Sequence, residues 1–142
     1  MKNGDFHMAE ESEILKKLVV DEKTSTKELE KMVEEAQKYF RIEAPSGRIL
    51  FQDFGSLSDK QRIAIVLVGK YFASRMKMLE STSLSISEVA KELGRPMTTL
   101  SGTMKELVTK GYVEYLPGKK YTVAYHRIKE IFSDVLETKS KK

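Results

Sequence analysis

The sequence contains no cysteine, and its only histidines, His7 and His126, lie far apart. The first absence excludes a disulfide scaffold, a thiol nucleophile and a thiolate metal site. The second leaves no close histidine pair for zinc, so neither metal nor cofactor is expected. The longest uncharged apolar run, Ile63 to Gly69, is closed by Arg62 and Lys70, far short of the roughly 20 residues of a bilayer-spanning helix. Residues 1–9 carry no apolar signal region and are set apart as a tail. The expectation is a soluble cytoplasmic protein without membrane contact. Amides are scarce too: Asn3 is the only asparagine and Gln37, Gln52 and Gln61 the only glutamines, a composition that leans thermophilic.

Catalytic signatures are missing as well. There is no Gly-x-x-x-x-Gly-Lys-Ser/Thr loop, no Gly-x-Ser-x-Gly turn and no histidine beside a nucleophile. Glu34-Glu35 lies on a charged helix where both carboxylates are solvated, and His126 reads as a cap or a partly buried structural group. No catalytic residue is assigned, and an enzyme is not expected.

What remains is ordinary globular material: 142 residues, 40% hydrophobic and 32% charged, enough to bury a core without cross-links. The charge is unevenly placed. Residues 1–57 carry 9 Lys/Arg against 12 Asp/Glu and residues 58–142 carry 16 against 9, so an anionic partner would meet the C-terminal half.

Periodicity divides the chain. Ile14, Leu15, Leu18 and Val19 predict a short helix at 11–20; Leu29, Met32, Val33, Ala36 and Phe40 predict a second over 27–40. A period of two around Pro45-Ser46-Gly47 then predicts a hairpin at 41–53. Phe54 to Ser58 reads as a boundary, with Ser58 and Gln61 forming a capping box for a helix over 59–80. That helix is apolar on most of its circumference and reads as central; its Gly69/Ala73 pair would let another helix approach closely. Leu84 to Ile86 is strand-like, 87–93 a short helix ended by Gly94, and Arg95-Pro96 opens a helix whose inward stripe is Leu100, Met104, Leu107 and Val108, stopped by Gly111. Strand-like Tyr112–Leu116 and Tyr121–Tyr125 flank Pro117-Gly118-Lys119-Lys120. A last helix over 127–137 carries Ile128, Ile131, Phe132, Val135 and Leu136 in one stripe.

Helix, strand, short helix, glycine turn, second helix and two-stranded hairpin is the layout of a winged helix-turn-helix. Glu88-Val89-Ala90, Gly94, Thr98-Thr99-Leu100-Ser101 and Leu107 to Val113 match the recurring positions of one family. The stretch from about 59 to 137 resembles the winged-helix transcription regulators, MarR-like and TrmB-like proteins of bacteria and archaea. The expected fold is mainly α (α+β): a winged helix-turn-helix at 58–138 with extra N-terminal helices and a hairpin at 10–57, and a basic tail at 139–142. The resemblance implies double-stranded DNA as partner. The candidate contacts are Thr98, Thr99, Ser101, Gly102 and Lys105 on the second helix, with Arg95, Lys119 and Lys120 supplying attraction to phosphate. Where the resembled regulators often carry arginine, position 102 is glycine, and the reading face holds no Arg, Asn or Gln for bidentate base contacts. A winged-helix protein-interaction subunit and a sequence-independent chromatin-type DNA binder therefore stand as alternatives, and Lys119 and Lys120 also fit a plain solvated hairpin tip. The family's flanking helices commonly build a dimer, which here assigns Ile128, Ile131, Phe132, Val135 and Leu136 to a homodimer interface. The N-terminal segment, possessing a similar helix-helix-hairpin order, is expected to serve dimerisation or a protein partner.

Overall fold

The computed structural model describes residues 22–137, so the expected helix at 11–20 and both tails lie outside the described residues. Helix α1, Glu22–Ala36, is divided between two compact units that part after Val33. Everything that follows concerns the second. The helix ends at Ala36 instead of continuing to residue 40, because Phe40 turns into strand β1, Phe40–Glu43, and is buried there. β1 pairs antiparallel with β2, Arg48–Phe51, in the register Phe40↔Phe51 and Ile42↔Ile49.

Helix α2, Asp59–Arg75, starts on the expected capping box: the Ser58 hydroxyl accepts from the Gln61 N–H at 3.2 Å and the Gln61 side chain accepts from the Ser58 N–H at 2.9 Å. The rest of the Gln61 amide is used elsewhere. Its nitrogen donates to the carbonyls of Val135 (3.1 Å) and Leu136 (3.4 Å) at the end of the last helix. From Ile63 to Val68 every α2 side chain is buried, which makes the helix the axis of the core. It stops five residues earlier than the periodicity suggests. Lys77 adopts φ 64, its N–H donates to Ser74 and the Met78 N–H to Ala73, a Schellman closure made without glycine.

The neighbour admitted by Gly69 is the first hairpin and not a helix. A Cβ at Gly69 would lie 2.4 Å from Ile49 Cδ1 and 3.3 Å from the Phe40 ring. Close approach also explains why this hairpin, expected to belong with the N-terminal segment, lies in the same compact unit as the helix-turn-helix. Polar bonds reinforce it. The Lys70 amine, almost wholly buried, pairs with Glu92 at 3.3 Å and donates to the Gly47 carbonyl at 3.2 Å, while Glu92 accepts the Ile49 N–H at 3.3 Å.

Helix α3, Ile86–Leu93, and helix α4, Met97–Thr109, form the helix-turn-helix. A second capping box, Ser85 with Glu88, starts α3; Gly94 at φ 66 ends it. Gly111 at φ 85 closes α4 in the same Schellman geometry, its N–H donating to Val108 and that of Tyr112 to Leu107. Strands β3, Val113–Leu116, and β4, Lys120–Val123, make the wing, Tyr115 opposite Tyr121. Leu84 exchanges both backbone bonds with Tyr121 and adds a third short rung.

After a 3-10 turn at Tyr125–Arg127, helix α5, Ile128–Ile131, widens into a π-helical turn over Phe132–Leu136. Here an expectation is overturned. Ile128, Ile131, Phe132, Val135 and Leu136 are 0–3% exposed within the single chain. The stripe closes the protomer's own core, with Phe132 stacked on Tyr39 at 6.2 Å, and is not an available dimer face. Periodicity reports that a face is covered, not by what.

Candidate nucleic-acid interface

Helix α4 is buried along one side by Leu100, Met104 and Leu107, each at most 1% exposed. Val108, expected inward with them, is half-exposed. The opposite side is open: Thr98, Thr99, Ser101, Gly102 and Lys105 are all exposed. Ser101 turns its hydroxyl back to the Met97 carbonyl at 2.8 Å, and an added Cβ at Gly102 would meet nothing within 4 Å. Among large apolar side chains, Met97 at the first position of α4 is 45% exposed and Tyr115 on the wing 53%. Sequence reading missed both, since an exposed apolar residue outside the inward period has no pattern signal.

The four candidate cations fall into two pairs. Arg95 is held by the protein itself: its guanidinium meets the Asp59 carboxylate at 3.2 and 3.0 Å. Asp59 also accepts Arg62 at 3.3 Å, so the helix-turn-helix turn is tied to the start of α2. Arg62 in turn lies over the Phe54 ring at 4.0 Å. Lys120 stands in strand β4 opposite Leu116, outside the tip proper, and pairs with Glu88 at 3.4 Å. The Ser85 N–H, and after it Lys120, holds the Glu88 carboxyl below its usual range. By contrast, Lys105 and Lys119 are exposed and make no ion pair among the described residues. Lys119 takes φ 59 beside Gly118 at φ 83, which turns the wing tip.

Further along α4, Glu106 pairs with Lys60 at 2.9 Å and Lys110 at 3.5 Å. The hydrogen bond from Lys60 lowers the Glu106 pKa first and foremost, so the only carboxylate of the helix is matched by two amines. The helix end is held by Arg127, which donates to the Lys110 carbonyl at 3.3 Å, lies over the Tyr112 ring at 4.8 Å and pairs with Glu130. A cation is favoured at that negative end. Burial, then a hydrogen bond to Asp134 at 2.9 Å, raises the Tyr112 pKa. His126, expected as a cap or a partly buried group, is exposed with its ring edge against Tyr125. Away from α4, an open cleft of about 1000 Å³ runs between β2 and α3, lined among others by Leu50, Phe51, Phe54 and Lys91.

Residues 76–129 match the family of TrmB, the sugar-specific transcriptional regulators. The match runs from the end of α2 through α3, α4 and the wing to the start of α5, narrower than the 59–137 of the resemblance noted above. Over that stretch the chain is similar to this regulator family, and its fold is the winged helix-turn-helix. No curated protein and no solved structure matches the chain. Among the described residues no helix is long and apolar enough to cross a membrane.

Proposed function

We propose that this chain is a transcription regulator that binds double-stranded DNA by laying α4 into a major groove and the Pro117–Lys119 tip of the wing along the adjacent backbone. One observation carries the reading: α4 is buried on its inner side and bare on its outer side, where Thr98, Thr99, Ser101, Gly102 and Lys105 stand together. A groove about 12 Å wide accepts such a helix. Lys105 and Lys119 supply the phosphate attraction, and Arg95 and Lys120, already matched by Asp59 and Glu88, contribute less. The similarity of residues 76–129 to a regulator family supports the same reading.

Fluorescence anisotropy on mixed-sequence DNA across a salt series tests it. The log-log slope should fall by about 0.9 for each phosphate contact removed, so Lys105→Ala and Lys119→Asn should each flatten it, with asparagine chosen because it tolerates the left-handed backbone at 119. Lys120→Ala should change it less. Absence of binding at low salt overturns the reading. That outcome would favour a protein-interaction subunit, for which the exposed Leu50 and Phe54 beside the β2–α3 cleft offer an apolar surface.

A further inference from the structure

The outer side of α4 is defined by what it cannot do. Guanine and adenine edges are read by paired donors or a donor-acceptor pair, from Arg, Lys, Asn or Gln. The first six positions of the helix, Met97 to Gly102, contain none of these. Ser101 has one hydroxyl proton and gives it to the Met97 carbonyl at 2.8 Å, so it meets a base only as an acceptor. Besides the Thr98 and Thr99 hydroxyls, which can meet any base edge, the N-terminal turns offer apolar groups: the Met97 thioether, 45% exposed, and the threonine methyls of these exposed residues. In the major groove the apolar feature of a base pair is the C5 methyl of thymine.

Gly102 is an independent pointer. It lies one helical turn beyond Thr98, on the same side, in a helix interior where glycine is less favourable than alanine. Nothing packed against the helix asks for it: apart from its chain neighbours and the helix's own backbone, no atom among the described residues lies within 4 Å of where its Cβ would be, and its φ is not among the positive ones. A bare position between Thr98 and Lys105 lets the helix backbone approach a groove floor that a side chain would hold off.

We propose that α4 reads thymine: Met97, with the Thr98 methyl beside it, packs against C5 methyl groups in the major groove, and Gly102 sets the depth at which they meet. The ligand class is duplex DNA bearing thymines at the positions facing the first two turns of α4. This rests on the DNA-binding reading above and names what that site would recognise.

The test replaces thymine by uracil, which removes the methyl and leaves the base-pair hydrogen bonds intact. Anisotropy is measured at low salt on short duplexes of alternating A·T and alternating A·U, and on alternating G·C with and without 5-methylcytosine. Burial of one methyl is worth about fourfold in affinity, so A·U should bind at least about fourfold more weakly than A·T, and 5-methylation should strengthen G·C binding by a similar factor. Met97→Ala should bring A·T and A·U together; circular dichroism verifies that this surface variant is folded. Equal binding of A·T and A·U by the unaltered protein overturns the proposal and leaves the DNA reading intact. An A·T preference that survives Met97→Ala overturns the role given to Met97. Failure to bind any of the four duplexes overturns both.

Discussion

The two hairpins of the main unit have strands of equal length and lie against the same helix, yet their surroundings are opposite. The β1–β2 hairpin is pressed onto α2 where Gly69 removes the side chain, and its backbone is bonded to the buried Lys70–Glu92 pair. The β3–β4 wing is held by Leu84 on one edge, carries an exposed Tyr115, and reaches out to a tip whose lysine is unpaired among the described residues. Both have a lysine-carboxylate pair near the turn. The first is 10% and 18% exposed, the second, Lys120 with Glu88, 40% and 52%. Identical chemistry thus anchors one hairpin and merely decorates the other, because desolvation makes the loss of a partner costly only where water cannot replace it.

The sharpest way to break this contrast is Glu92→Ala. It strands a buried ammonium and frees the Ile49 N–H, and should lower stability by about 3 kcal/mol in urea unfolding, whereas Glu114→Ala on the exposed wing should leave the midpoint unchanged. Gly69→Val comes next: overpacking against Ile49 should lower stability by about 2 kcal/mol, part of which returns when it is combined with Ile49→Ala. The smallest effect tests the Glu88 carboxylate, held by the Ser85 N–H and after it by Lys120. The Glu88 carboxyl titrates below its ordinary value in the folded chain, so its contribution is complete above the unfolded carboxylate range and disappears as pH falls through the lowered folded value. For so exposed a group that contribution should be about 0.5 kcal/mol. Stability measured from neutral pH down to the acid limb should fall less steeply in Glu88→Gln than in the unaltered chain; identical acid limbs would refute the assignment.

Local chemistry was readable in advance. Ser58 and Gln61, Gly94, Gly111 and the Pro117–Gly118 turn mark their boundaries by backbone preference alone, and the alternation around Pro45–Gly47 predicts the first hairpin. What resisted reading was long-range. The α5 stripe looks the same whether a second copy or α2 covers it. Phe40 continues a helical period and belongs to a strand, because burial against Gly69 outweighs periodicity. Lys77 closes α2 with no glycine to announce it. At the candidate interface, the exposure of Thr98, Thr99, Ser101 and Gly102 follows from the inward stripe of α4, but the diversion of Arg95 to Asp59 depends on a residue 36 positions away, and the bareness of Met97 leaves no trace in any repeat.

Gln61 joins the beginning of α2 to the carbonyls of Val135 and Leu136, which brings the two ends of the stretch from Ser58 to Leu136 to a single amide. Such a stretch is topologically a loop fastened by a clasp. Its two ends are thereby held close together, the arrangement that circular permutation of a domain exploits. Force applied between Ser58 and Leu136 would load this clasp, at the foot of the central helix.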